Sequence, residues 1–197
     1  MKDAIRSMLK ESAQVKLKTA ETLTSEIQTA AEKIIGSYKQ GGKLIIFGNG
    51  GSAADAQHIT TELMHQFEKN RRCLLALALN TNTSMITAIG NDWGFEDIFS
   101  RQVEGLATPK DVIIAISTSG NSKNVIKAVK LAKEKGTYTI CFTNQEGGIL
   151  KDMVDLCLCV PHKNTARVQE CHITIGHILC KLIEENLFPD AGTRRGP

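Results

Sequence analysis

Residues 43–62 read KLIIFGNGGSAADAQHITTE, and the reading of this stretch decides the fold. Residues 43–47 form a short, almost wholly apolar run of the kind shown by strands buried on both faces. Gly48-Asn49-Gly50-Gly51-Ser52 is a glycine-rich turn, and it opens onto a helical pattern over 53–66. Strand, tight turn and helix in that order make the unit from which parallel sheets are wound.

Working outward, runs of the same apolar character recur at 74–79, 112–116 and 137–142, with a weaker one at 156–160. Helical patterns at 84–89, 98–103 and 124–135 lie between them. The expected architecture is therefore α/β, a doubly wound five-stranded parallel sheet flanked by helices. Ahead of it, residues 1–40 carry apolar positions at helical spacing: Ile5, Met8 and Leu9, then Ile27, Ala30, Ala31, Ile34 and Ile35. The pattern breaks at Thr22 to Ser25, where Ser25 could cap a second helix, so two helices are predicted, ended by Gly41-Gly42. The last pattern, 165–187, is apolar over much of its circumference (Val168, Ile173, Ile175, Ile178, Leu179, Leu182, Ile183), which predicts burial against the sheet or another subunit. Phe188-Pro189 stops it. The whole, 1–197, reads as one domain: helices over 1–40, an α/β core with its long final helix over 41–188, and a flexible tail over 189–197.

Composition narrows the function classes. With 24 basic against 21 acidic residues, the net charge of +3 is too small and too dispersed for a phosphate-backbone-binding face, so no nucleic acid partner is expected. No apolar run reaches the roughly 18–20 residues of a membrane span, and MKDAIRSMLKES lacks the apolar core of a signal peptide. A cytoplasmic protein with no membrane partner follows. The six cysteines show no CxxC pairing and read as buried free thiols in a reducing compartment.

Two loops leave strand ends and enter helices, which is where ligands sit in open parallel sheets. Ser117-Thr118-Ser119-Gly120-Asn121-Ser122 brings a surplus of hydroxyls to the start of the helix from Asn124, a cradle suited to a phosphate dianion. The glycine turn at 48–52 could serve the same purpose, but Glu62 on its helix would repel an anion, so the neutral, reacting end of the ligand is assigned there. His58 and Glu62 at i and i+4 share a helix face, the geometry by which paired helical ligands grip a metal. The last helix offers Gln169, His172 and His177 among Ile and Leu; Gln169 and His177 can point broadly the same way, and His172 lies well round the helix.

With these residues assembled, the chain resembles the sugar isomerase (SIS) fold, flavodoxin-like in its winding, and more narrowly the phosphoheptose isomerases. The resemblance runs through FGNGGSAADAQH at 47–58, AIGNDWGFEDIFSRQV at 88–103, ISTSGNS at 116–122 and RVQECHITIGH at 167–177. It implies one zinc per subunit held by His58, Glu62, Gln169 and His177, with Glu62 and His177 doubling as the acid/base pair. It implies that Ser117, Thr118, Ser119 and Ser122 hold the phosphate of a phosphorylated heptose, while Asn49, Ser52, Asp92 and Gln169 contact the sugar. It also implies a homotetramer with active sites between subunits. Two positions depart from the family pattern: Gln66 stands where many members have arginine, and Ala166 where some have an acidic residue. The expected activity is the conversion of sedoheptulose 7-phosphate to D-glycero-D-manno-heptose 7-phosphate through an enediol, in lipopolysaccharide heptose biosynthesis. A non-catalytic SIS adaptor binding the replication initiator protein is the alternative, and a phosphosugar-sensing regulatory domain a third reading.

Overall fold

The structure, a computed structural model, describes residues 1–193. Five strands, β1 (Leu44–Gly48), β2 (Ala76–Ala78), β3 (Val112–Ile116), β4 (Tyr138–Asn144) and β5 (Leu156–Val160), form one sheet in the order β2-β1-β3-β4-β5. Every pairing is parallel, with Leu44 opposite both Ala76 and Val112. β1, β3 and most of β4 are buried on both faces, which is why they read as unbroken apolar runs. The edge strand β2 is shorter than the run 74–79 that announced it, since only three of those residues pair with β1.

Helices cover both faces. One core gathers Leu44, Ile46, Ile114, Ile116, Ile140 and Phe142 under α1 (Lys2–Lys39), α2 (Gly51–Met64) and α6 (Thr165–Leu187). The other gathers Ile45, Phe47, Ile113, Ala115 and Cys141 under α4 (Ser100–Leu106) and α5 (Lys123–Glu134). Between β2 and α4 lies α3 (Thr83–Asp92), none of whose residues is buried.

The N-terminal expectation of two helices is corrected: α1 runs unbroken for 38 residues. Its buried stripe passes straight through the suspected break as Val15, Thr19, Leu23 and Ile27. Thr22, Thr24 and Thr29 donate their hydroxyls to the carbonyls of Lys18, Ala20 and Ser25, so these residues satisfy the helix instead of ending it, and Ser25 caps nothing. Part of the supposed tail is also placed: Asn70 donates to the Gly192 carbonyl, and Thr193 bridges to Lys69. The remainder, 194–197, lies outside the described residues.

No disulfide joins the six cysteines, and Cys73 is exposed, contrary to the expectation of burial, because it lies in the irregular segment leading to β2. No helix among the described residues is long and apolar enough to cross a membrane. An apolar groove of about 410 Å³ runs between α1 and α6, lined by Ile27, Ile175, Ile178 and Leu182.

Candidate active site

The strand order reverses between β1 and β3, the position at which open parallel sheets hold ligands. The two loops singled out in the sequence leave these two strands side by side. They are tied together by Asn49 and Asn124, whose side-chain amides exchange two hydrogen bonds of 2.9 Å each. Asn124 is buried and accepts from the N–H of Val125 as well, which fixes its orientation. Asn80 adds a third strut, donating to the Gly48 carbonyl at 2.8 Å. Sequence reasoning named Asn49 and missed Asn80 and Asn124, since an isolated Asn in a loop carries no pattern.

The glycine turn has a steric reason. A Cβ on Gly51 would lie 2.6 Å from the Gln169 amide nitrogen, so the bare glycine leaves room for the Gln169 side chain of the final helix to lie against the start of α2. Ser52 is buried in the first turn of α2. From the same helix, His58 and Glu62 face α6: His58 Nε2 lies 3.2 Å from Glu62 Oε1 and 3.4 Å from His177 Nε2. The rings of His58 and His177 meet edge to face at 4.9 Å, and Phe67 stacks on the other imidazole, that of His177, at 5.6 Å and 24°.

One donor atom from each of His58, Glu62 and His177 thus falls within 4.8 Å of the others. Two imidazole nitrogens and a carboxylate oxygen converging this closely either share a proton or close around a cation. The donor set suits zinc, which takes nitrogen and oxygen ligands and in catalytic sites keeps a position open for substrate. Nearby, Asp55 has a buried Oδ2 with no partner, and burial raises its carboxyl to about 6, against a smaller lowering by His58.

The second loop forms a compact cradle. Ser117 is buried and donates to the Ser122 hydroxyl at 3.1 Å, while Ser119 is exposed and Thr118 half-buried. Ser122 occupies the N-cap of α5 without using its side chain as a cap, so the N–H groups at that end, apart from that of Val125, which Asn124 accepts, remain available to a ligand. Gly120 holds φ +66°, and a Cβ there would collide with the carbonyl of Gly147, so the loop is braced by the turn after β4.

Two other residues singled out in the sequence lie outside this cluster, and for His172 that is as its place round the helix predicts. Asp92 ends α3, exposed, and among the described residues its carboxylate hydrogen-bonds only to Asn91. It is not among the groups whose donor atoms lie within 4.8 Å of one another. His172 turns away into the core, fully buried, with Nε2 3.2 Å from the Thr143 carbonyl. Gln66 is half-buried just beyond α2, and Ala166 is exposed in the first turn of α6.

Comparison with known proteins agrees in extent. Residues 9–144 match the SIS domain family. The chain is 51% identical over 179 residues to the phosphoheptose isomerase of Roseiflexus sp. (strain RS-1), covering 91% of each chain. With that of Aquifex aeolicus (strain VF5) it shares 51% over 185 residues, 94% of this chain and 97% of the other. The solved phosphoheptose isomerase of Neisseria gonorrhoeae superposes with a TM-score of 0.89 at 42% identity, over 93% of this chain and 98% of that one. Sheet order, loops and helix pairing are thus those of a known group, and the chain belongs to the SIS domain family, among its phosphoheptose isomerases.

Proposed function

We propose that this phosphosugar isomerase converts sedoheptulose 7-phosphate to D-glycero-D-manno-heptose 7-phosphate in the cytoplasm, serving lipopolysaccharide heptose synthesis. The observation that carries the reading is the convergence of His58 and Glu62 from α2 with His177 from α6 beside the β1/β3 crevice. Ketose and aldose interconvert when a proton leaves C1, an enediol forms across C1 and C2, and a proton returns to C2. The hydrogen on the C1 oxygen is lost as that oxygen becomes the carbonyl, and the C2 oxygen gains one. Nothing is oxidised or reduced overall. The chemistry needs a group that accepts and returns a carbon-bound proton and another that serves the oxygens.

Glu62 and His177 are assigned jointly to these roles. Zinc held by His58, Glu62, Gln169 and His177, one per subunit, would when bound polarise the carbonyl and hydroxyl oxygens as a Lewis acid. The hydroxyls of Ser117, Thr118, Ser119 and Ser122, with the free N–H groups at the start of α5, anchor the phosphate. Binding energy gained there positions C1 and C2 at the reacting pair. Asn49, Ser52 and Gln169 line the sugar end. Asp92 is assigned to the sugar hydroxyls as well, and the protein is taken as a homotetramer whose sites lie between subunits.

Pure protein incubated with sedoheptulose 7-phosphate should yield the aldose. Glu62→Gln and His177→Gln should each abolish turnover while leaving the oligomer folded, and a chelator should reduce turnover reversibly. Wild-type turnover in either variant would sink the assignment, and no product under any condition would favour the adaptor.

A further inference from the structure

The segment joining α2 to β2 is gripped by one buried ion pair. Glu184 lies on α6 about two turns beyond His177. Its carboxylate accepts from the N–H groups of Phe67 (2.7 Å), Glu68 (2.8 Å) and Lys69 (3.1 Å), and from Arg71 Nε (2.7 Å). Burial alone would raise this carboxyl, but the converging backbone N–H groups and Arg71 hold it below the usual range. The guanidinium of Arg71 spends three of its four remaining donors on carbonyls: Nη2 on Glu62 (2.8 Å), and Nη1 on Leu63 (2.8 Å) and Arg72 (3.0 Å).

These contacts lead to the reacting groups from both sides. The last carbonyls of a helix have no partner within it, and Arg71 meets two of those on α2, including that of Glu62 itself. Phe67, anchored by Glu184 through its own N–H, lays its ring on His177. The Arg71 and Glu184 side chains are 0% and 1% exposed, so neither can touch a ligand in the crevice. Buried ion pairs seldom repay the cost of desolvating two charges, so stability alone is a weak reason for this one.

We propose that Glu184 and Arg71 are positioning residues for the isomerisation, Glu184 setting His177 through Phe67 and Arg71 setting Glu62 through the end of α2. The role in turnover rests on the assignment of Glu62 and His177 given above. The pair locks the two helices against each other at the level of the proton-transferring groups, and a misplacement of about 1 Å there can cost a hundredfold in rate.

The test compares wild type with Glu184→Gln, Phe67→Leu and Phe67→Tyr, following steady-state turnover of sedoheptulose 7-phosphate and the NMR resonances of the His177 ring, assigned by their loss in His177→Gln. Glu184→Gln and Phe67→Leu should lower kcat by about 10- to 100-fold with KM little changed. Both should also move the His177 ring protons downfield as the stacked ring is displaced, and Phe67→Tyr should retain both properties. Unchanged kcat and unchanged His177 resonances, even with a lowered Tm, would reduce the pair to a structural contact and overturn the proposal. Should Glu184→Gln fail to fold, Phe67→Leu alone judges the His177 side, and Arg71→Lys, which keeps the charge and loses the carbonyl contacts to Glu62 and Leu63, should lower kcat by about the same 10- to 100-fold; wild-type kcat in it would overturn the Arg71 role. If wild type turns over no substrate, the isomerase reading fails by itself, and the His177 resonances alone judge the pair.

Discussion

His172 and His177 stand five residues apart on one helix and are put to opposite uses. His177 faces α2, and His172 is sealed in the core beside Phe142. A carbonyl can only accept, so His172 Nε2 carries the proton toward Thr143, and Nδ1 is left bare and without a partner. Burial lowers this imidazole from 6.5 to about 4, offset in part by the Thr143 hydrogen bond. The folded state therefore keeps His172 neutral where the unfolded chain would bind a proton. Its contribution to stability is complete above pH 6.5 and is lost as pH falls toward 4, by roughly 3 kcal/mol. Asp55, raised from 3.8 to about 6, acts in the opposite sense, contributing stability that disappears as pH rises through 6. Comparing wild type with His172→Gln by denaturant titration isolates the histidine: their difference in stability should shift by that amount between pH 7 and pH 4. Parallel curves would refute the burial argument.

At the scale of elements, α1 shows how hydroxyls mislead. Thr19 occupies a buried position on the stripe and Thr22 an exposed one, so the stripe of Val15, Leu23 and Ile27 is interrupted by a hydroxyl just ahead of the Thr22–Ser25 run that suggested a break. One continuous helix makes a sharp prediction. Proline at position 22 would remove the hydrogen bond to the Lys18 carbonyl and clash with it, so Thr22→Pro should cost about 3 kcal/mol, read as a lower Tm. A junction between two helices would have tolerated it. The final helix was legible to the residue, Thr165–Leu187, because Asn164 caps it with its side chain, and Phe188-Pro189 follows it.

For the whole molecule, the exposed apolar surface carries the question of assembly. Ile178 and Leu182 on α6 are 40% and 37% exposed, and they border the groove against α1. Covering such a strip with a second copy accounts for a helix that is apolar on more sides than one chain can bury. Leu182→Glu should then reduce the mass measured by light scattering while leaving the circular dichroism of the chain unchanged. An unaltered mass would show that this strip is not a contact between copies. If Asp92 reaches the sugar only across such an interface, the same variant should lose turnover together with mass.

The strands, their parallel winding, the two loops at the strand ends and the pairing of His58 with Glu62 were legible in the chain, because each is a local matter of periodicity, glycine placement or spacing along one helix. Tertiary structure decided what lies between elements. The 119 residues from His58 to His177 collapse to 3.4 Å only because α2 and α6 pack on one face of the sheet. The pairing of β1 with β3 brought Asn124 to Asn49, and the packing of α2 and α6 brought Arg71 to Glu184 and the end of α2, contacts for which no residue pattern prepares. It also separated His172 from His177, since the side of a helix that meets a neighbour is fixed by the neighbour. The glycine turn at 48–52 could be read as a candidate ligand loop from its composition, but that Gln169 lies against Gly51 is a matter of the packing across the fold.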